Sequence, residues 1–224
     1  MSARDAILAA VRKNLPQPAV SLPEDPSAAR QGATLTLGYK DFLHQMPEIH
    51  HSHNVAGCLI VNFEKQLEGM GGRWFEVADA AAAEAKLAEL FPTAKVVCSA
   101  VPEVKGNRRI ENVSDPHALN DVDVGVVRSR LGVSEAGAVW LTQNELSINA
   151  LGVLSQHLIV LLDPNAIVET MHDAYALLNL TESPYGTFMA GPSATGDIEG
   201  VIIHGAQGAR TLTVFLTGSS GKSA

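Results

Sequence analysis

The chain has 224 residues, 46% of them apolar and 18% charged, with a formal net charge of −8 at pH 7. That length predicts one domain with an additional segment, and the acidic balance disfavours binding to nucleic acid or to anionic membranes. Cys58 and Cys98 are too few thiols to hold an iron–sulfur cluster or a four-cysteine zinc site within this chain. No apolar run reaches 18 residues, so we expect a cytoplasmic protein with reduced thiols and no membrane insertion.

The N-terminal part is expected to form an arm. Apolar residues recur at helical spacing from Ser2 to Asn14, and four prolines between residues 15 and 32 indicate an extended linker. We therefore assign residues 1–38 to a helix and its Pro-rich linker. This helix either packs on its own core or docks on a partner or a second copy of the chain, so the arm offers one route to a homo-oligomer.

A histidine cluster follows at His50, His51 and His53. Neighbouring side chains point apart in most backbone conformations, whereas metal ligands usually come from separated elements that are held by second-shell partners. A surface cluster is favoured over a metal centre, and we predict neither a metal nor a cofactor.

Residues 39–217 alternate between strand and helix patterns. Helices are predicted from about Val55 to Gly69, over 79–90, over 165–178, and in a segment carrying Ile198, Val201 and Ile202. Strands are predicted at 73–77, 95–98, 122–127, 138–141, 157–162, 187–190 and 212–216. The pattern predicts an α/β fold, a three-layer open sheet with helices on both faces. In such sheets ligands gather at the carboxyl ends of the strands. Residues 218–224 are predicted to be a disordered tail.

Small residues surround Glu135 in the loop Gly132–Ala138, and Gly137 lets the backbone turn tightly. This carboxylate is a candidate nucleophile or general base. The alternative is a turn whose glutamate is merely solvated.

A second loop runs from Ala190 to Glu199, and it is predicted to lead from a strand into a helix. Ser193 or Thr195 would cap that helix, with Asp197 favourable near its start. The same hydroxyls and amides are suited to a carboxylate, amide or hydroxyl ligand. The candidate ligand-binding residues of this loop are Gly191, Pro192, Ser193, Thr195, Asp197 and Glu199.

Two further candidates complete the set. Gly208 lies in the turn Gly205–Arg210, where the glycines suit a helix C-terminus and Arg210 is either an anion clamp or a surface ion pair. His157 begins an apolar strand, and it is a candidate ligand residue or a hydrogen-bonded core histidine.

Five strings in this order resemble the LUD domain of lactate-utilisation protein C (the LutC/YkgG family). They are Ser134-Glu135-Ala136-Gly137-Ala138-Val139-Trp140-Leu141, Ser155-Gln156-His157-Leu158-Ile159-Val160, Met171-His172-Asp173-Ala174-Tyr175, the run from Gly186 to Glu199, and Gly205-Ala206-Gln207-Gly208-Ala209-Arg210. The resemblance spans about residues 122–216. Gln207 stands where His is common in that family, and Ala136 stands where Thr or Asn is usual.

The resemblance implies a fold similar to that of glucosamine-6-phosphate deaminase, ribose-5-phosphate isomerase and CoA transferases (the NagB/RpiA/CoA transferase-like fold). It also implies a role in oxidising L-lactate to pyruvate with iron–sulfur partner proteins, the chain binding a small organic acid or a partner at a cleft between Glu135 and Ser193. Two alternatives stay open. One is a CoA or acyl transferase that uses Glu135 on a CoA ester, as CoA transferases use a glutamate in a similar turn. The other is a noncatalytic ligand-sensing scaffold.

Overall fold

The computed structural model describes residues 56–196 and 200–218, together with Arg4 and Lys13; the side chains of residues 56–58 are not described. The chain divides into two units, Met1–Ser52 and His53–Ala224, and the account below concerns the second. Arg4 and Lys13 are helical, as predicted for the segment from Ser2 to Asn14. The linker, the cluster His50, His51 and His53, the residues Asp197 and Glu199, and residues 219–224 lie outside the described residues.

The described elements alternate as an α/β chain, and most of the predicted strands form within two residues of their expected bounds. The helices are α1 (Ala56–Gly69), α2 (Ala80–Leu90), α3 (Gln143–Leu146), α4 (Leu151–Leu154) and α5 (Met171–Leu177). The strands are β1 (Arg73–Val77), β2 (Val97–Ser99), β3 (Arg108–Arg109), β4 (Val124–Ser129), β5 (Gly132–Val133), β6 (Ala138–Thr142), β7 (His157–Leu162), β8 (Ile167–Val168), β9 (Gly186–Met189), β10 (Ala194–Thr195), β11 (Ile203–His204) and β12 (Thr211–Thr217).

Six strands form a parallel sheet in the order β1-β12-β7-β4-β2-β3. The central strand β7 is apolar from Leu158 to Leu162, and these side chains alternate between two cores. Leu158 and Leu162 join the core beneath α1, which also holds Phe63 and Leu67. Ile159 faces the other way, into a core with the α2 residues Ala83 and Leu87. The predicted sheet with helices on both faces is therefore confirmed.

Local sequence signals fix the ends of α2. Asp79 accepts a hydrogen bond from Ala82 N at 2.8 Å and forms the N-cap, so the helix predicted over 79–90 begins where expected. The helix ends at Leu90, two residues before Pro92. It joins β1 to β2, and three strands lie between these two in the sheet, so this βαβ unit is a wide crossover.

A second sheet, in the order β8-β5-β6-β9, lies on the α1 side of the molecule. Val139 and Leu141 of β6 point into the core that α1 covers, while Trp140 between them packs with Val133 and with Ala174 of α5. The strands at 138–141 and 187–190 were predicted, but not that they pair with each other in a separate antiparallel arrangement.

The predicted helix over residues 165–178 is wrong in its first half. Ile167 and Val168 form β8, which pairs with β5. The helix begins only at Met171, where Thr170 and Asp173 form a capping box that satisfies the first N–H groups. Two β-branched residues that can pair with a strand thus override the helical periodicity.

The predicted helix after the Ser193 loop is also wrong. Residues 194–195 pair antiparallel with residues 203–204, Gly200 has a φ of 71°, and Val201 and Ile202 lie outside any helix. Within the described residues, Ser193 and Thr195 therefore cap no helix, and the turn Gly205–Arg210 follows a strand rather than a helix C-terminus; Ile198 lies outside them.

Two observations bear on the chain ends and on membranes. Gly218, predicted as the first residue of the tail, donates its N–H to Val77 O at 3.0 Å. In the part of the chain that the structure describes, no helix is both long and apolar enough to cross a bilayer.

Candidate functional site

The Glu135 loop is built onto helix α1. Ser134–Ala136 forms a 3-10 turn, and the buried Ser134 hydroxyl donates to Leu59 O at 2.8 Å. Asn62 Nδ2 donates back to Ser134 Oγ at 3.1 Å. These bonds hold the loop against the side of α1.

Gly137 ends this turn in the left-handed conformation, with a φ of 57°. A Cβ at this position would overlap Leu67 N and lie 2.6 Å from Leu67 Cα. The glycine is therefore required by the close approach of the loop to the α1 backbone, a sufficient reason for its presence without a ligand.

Glu135 itself is exposed. Its Oε1 accepts the N–H of Met171 at 2.7 Å, and its own N–H donates to Glu169 O at 3.0 Å. Met171 is the first residue of α5, where a carboxylate is stabilised by the unpaired N–H groups. This geometry gives Glu135 a structural task in joining the loop to α5.

A pocket of about 220 Å³ lies elsewhere, on the α1 side of the six-stranded sheet. Loops containing Gly191, Pro192 and Ser193 form one wall, Gln207 and Gly208 another, and the α4 residues Gly152 and Val153 a third. We call it the Ser193 pocket.

Of the nine predicted site residues that the structure describes, this pocket brings four together and leaves five apart. Its lining includes Gly191, Pro192, Ser193 and Gly208. Outside that lining are Glu135, Gly137, His157, Thr195 and Arg210.

Close backbone approaches shape the Ser193 pocket. Gly191, with a φ of 76°, packs so tightly that a Cβ would overlap Met70 O, at the end of α1. A Cβ at Gly208 would lie 3.0 Å from Ser193 Cβ. Ser193 N donates to Ala209 O at 2.9 Å, so the two loops are hydrogen-bonded where they meet.

The pocket opens at the amino ends of the strands, not at the carboxyl ends as predicted. Its floor includes Leu158 and Leu212, the second residues of β7 and β12. The reason is the position of the two loops: the turn 205–210 precedes β12, and the Ser193 loop is bonded to that turn.

The described lining of the pocket carries no charged side chain. Its polar groups are the Ser193 hydroxyl, the Gln207 amide and backbone groups. The N–H groups of Gln207 and Gly208 donate to no described residue. Such N–H groups are suited to the oxygens of a small ligand, and the volume lies below the roughly 300 to 1,000 Å³ of sites for drug-sized molecules.

His157 lies at the same edge of the sheet but on the opposite face, toward α2. Its Nδ1 is 2.9 Å from Thr211 Oγ1, and its ring stacks on Phe91 with centroids 4.5 Å apart. Burial lowers the pKa of His157, the charge of Arg210 lowers it further, Asp123 raises it, and Arg73 lowers it.

Hydrogen bonds with backbone groups hold Arg210 and Asp123 beside this histidine. Arg210 N donates to Gln156 O at 2.8 Å, and a Cβ at Gly205 would overlap Arg210 Cγ. Asp123 Oδ2 accepts the N–H groups of Lys95 at 2.7 Å and Val96 at 2.9 Å, and these bonds lower the pKa of Asp123.

Several residues near these sites were missed from the sequence. Gly152 and Val153 carried no motif, and Phe91 was not singled out. Arg73 was assigned to a strand, without a role. The sequence does give one signal for Arg73: it begins a strand directly after Gly71 and Gly72, at the edge where loops converge.

Among the described residues, no three His, Cys, Asp or Glu side chains are grouped as a metal site. Cys98 is a free, buried cysteine, and burial raises the pKa of its thiol. It thus has the properties of a core residue rather than of a reactive thiolate.

Comparison with known proteins identifies the region that carries these features. Residues 109–217 match the LUD domain family. A crystal structure of a DUF162 family protein from Deinococcus radiodurans superimposes with a TM-score of 0.59 at 20% identity, covering 74% of this chain and 99% of that one. This likeness shows the α/β fold. No curated protein matches the chain.

Proposed function

We propose that this protein acts in lactate utilisation by binding a small organic acid in the Ser193 pocket. The observation that carries the proposal is the convergence of two LUD-like strings, Gly191-Pro192-Ser193 and Gln207-Gly208, on one small cavity. Both strings lie inside the region that matches the LUD domain family.

The chemistry of the pocket supports a small, partly apolar acid. Backbone N–H groups of Gln207 and Gly208 and the Ser193 hydroxyl are suited to a carboxylate, and the apolar side chains of Leu158, Met189 and Leu212 line the same cavity. A short hydroxy or keto acid such as lactate or pyruvate has both a carboxylate and an apolar methyl group.

The redox step is assigned to partner proteins in this proposal. Lactate oxidation removes two electrons, and the chain's two cysteines cannot hold an iron–sulfur cluster. The family resemblance supports iron–sulfur proteins as those partners, with this chain as a subunit that binds the acid or presents it.

Binding of a small acid is favoured over an acyl-transfer reaction that uses Glu135. The carboxylate lies outside the Ser193 pocket, and one of its oxygens already accepts the Met171 N–H. The scaffold alternative depends on the N-terminal arm; if deleting residues 1–32 changes neither oligomeric state nor partner recovery, that alternative fails.

Ligand binding tests the proposal directly. A thermal-shift panel of L-lactate, pyruvate, CoA esters and sugar phosphates should show stabilisation by a small acid, since a ligand at 100 times its Kd adds about 2.7 kcal/mol. Gly208→Val fills the pocket beside Ser193 and should abolish that shift, and Ser193→Ala should weaken it. Gly196→Ala is the matched control, because a Cβ there meets nothing within 4 Å.

Growth supplies the second measurement. A strain lacking the gene should grow poorly on L-lactate and recover with the wild-type or Gly196→Ala gene, but not with Gly208→Val. Unimpaired growth of the deletion strain, or full rescue by a stably folded Gly208→Val protein, would contradict the proposal.

A further inference from the structure

The amino ends of β1, β7 and β12 carry an excess of positive charge in an otherwise acidic protein. Arg73 begins β1, and its Cα partner on β12 is Thr213. Thr211, two residues earlier on β12, pairs with His157 of β7. Arg73 is thus two strands, or about 10 Å across the sheet, from His157, and Arg210 directly precedes Thr211.

The two arginines differ from others in the described chain. Arg108, Arg109, Arg128 and Arg130 each form an ion pair with an Asp or Glu side chain. Arg73 and Arg210 are exposed, and neither guanidinium has an ion pair or hydrogen bond with a described residue. Within the described residues, the ten N–H donors of these two guanidinium groups thus have no protein partner.

The acidic group that faces His157 is already engaged. Asp123 faces His157, but its Oδ2 accepts two backbone N–H groups, from Lys95 and Val96. The charged groups that act on His157 are Arg210, Asp123 and Arg73, so two cations face one carboxylate. An anion bound near His157 would be attracted by both positive charges.

His157 adds a neutral donor to this arrangement. When the Thr211 hydroxyl donates to Nδ1, the ring proton is on Nε2, for which no partner is present among the described residues. Stacking on Phe91 and the Thr211 contact fix the direction of the ring.

We propose that Arg73 and Arg210, together with His157, form a second binding site, for a dianionic oxyanion of the phosphate class. Two guanidinium groups match the charge and the several acceptor oxygens of such a ligand, each guanidinium being able to donate two parallel hydrogen bonds. The His157 ring faces α2, whereas the Ser193 pocket is on the α1 face. This site is therefore additional to the one proposed for the organic acid.

Inorganic phosphate is the probe, with phosphoglycerol and acetate as further arms. The ³¹P resonance of phosphate should broaden when phosphate binds to the full chain. Phosphate should also raise the pKa of His157, measured by an NMR titration of the imidazole signals. The His157 signal is assigned by its loss in His157→Gln. Acetate should bind at least about tenfold more weakly, because it carries half the charge. If phosphoglycerol binds as tightly as phosphate, the natural ligand is a phosphate monoester. If phosphoglycerol binds more weakly than phosphate, the natural ligand is the free ion.

Arg73→Gln and Arg210→Gln should each weaken phosphate binding by about tenfold or more, as the loss of a charged hydrogen-bond donor does. Lys65→Gln removes one positive charge from α1 and should leave binding unchanged. Lactate binding should be unaffected by Arg73→Gln, so failure of one site does not imply failure of the other. The proposal is overturned if phosphate at millimolar concentration leaves the His157 resonance unmoved, or if Lys65→Gln weakens binding as much as the arginine variants do.

Discussion

Replacing Gly137 by alanine should destabilise the protein because the new methyl group has no space. The left-handed backbone costs about 1 to 2 kcal/mol for a residue with a Cβ. The Cβ would also overlap Leu67 N and lie 2.7 Å from the carbonyl carbon of Gln66, so α1 or the loop must move. Overpacking of this kind costs about 1 to 3 kcal/mol. The free energy of unfolding should therefore fall by about 2 to 5 kcal/mol.

Urea denaturation of the full chain, followed by far-UV circular dichroism, measures this difference. Gly196→Ala is the control, since it has neither a close neighbour nor a positive φ, and its unfolding free energy should stay within about 0.5 kcal/mol of the wild type. A loss below about 1 kcal/mol in Gly137→Ala would refute the packing argument. If that stable variant had also lost acid binding, the predicted ligand role of Gly137 would be favoured instead.

Three further predictions test the other side chains. Glu135→Ala should cost about 0.3 to 1 kcal/mol in urea denaturation, since it removes the carboxylate from the Met171 N–H; a covalent acyl adduct on wild-type Glu135, seen by intact-mass spectrometry after incubation with acyl-CoA, would contradict its structural role. Thr170→Ala should cost about 0.5 to 2 kcal/mol by removing the cap on Asp173 N, and a neutral result would mean that α5 does not depend on a start at Met171. His157 binds its proton more weakly in the folded chain because burial lowers its pKa, so its contribution to stability is present above about pH 6.5 and lost as the pH falls through the folded pKa. His157→Gln should flatten the pH dependence of unfolding between pH 7.5 and 5, and an unchanged slope would contradict this assignment.

The six-stranded sheet could be predicted because the amino-acid pattern of its strands indicates whether they are buried. Five apolar residues in succession after His157 require cover on both faces, and the structure divides them between two cores. Asp79 likewise marks a helix start by a mechanism that acts within three residues.

The second sheet could not be predicted in the same way, because its partners are distant along the chain. Ile167 and Val168 fit the helical pattern of apolar residues over 165–178. They form a strand only because they pair with Gly132 and Val133. The pairing of residues 194–195 with 203–204 is a second example: Val201 and Ile202 suggested a helix, yet His204 pairs with Ala194. The local periodicity of apolar residues does not show which distant strand is available for pairing.

The location of the candidate sites follows from where the glycine-rich strings enter the sheet. Ser193 and Gly208 were predicted as ligand residues from the two strings that contain them, and they meet in one pocket. His157 is one residue from Leu158 of that pocket, yet alternation along a strand turns its ring to the other face. Arg210 directly precedes β12. The motifs predicted one cleft between the Glu135 and Ser193 loops, whereas in the structure Glu135 lies outside the uncharged pocket beside α1 and strand alternation turns His157 toward α2.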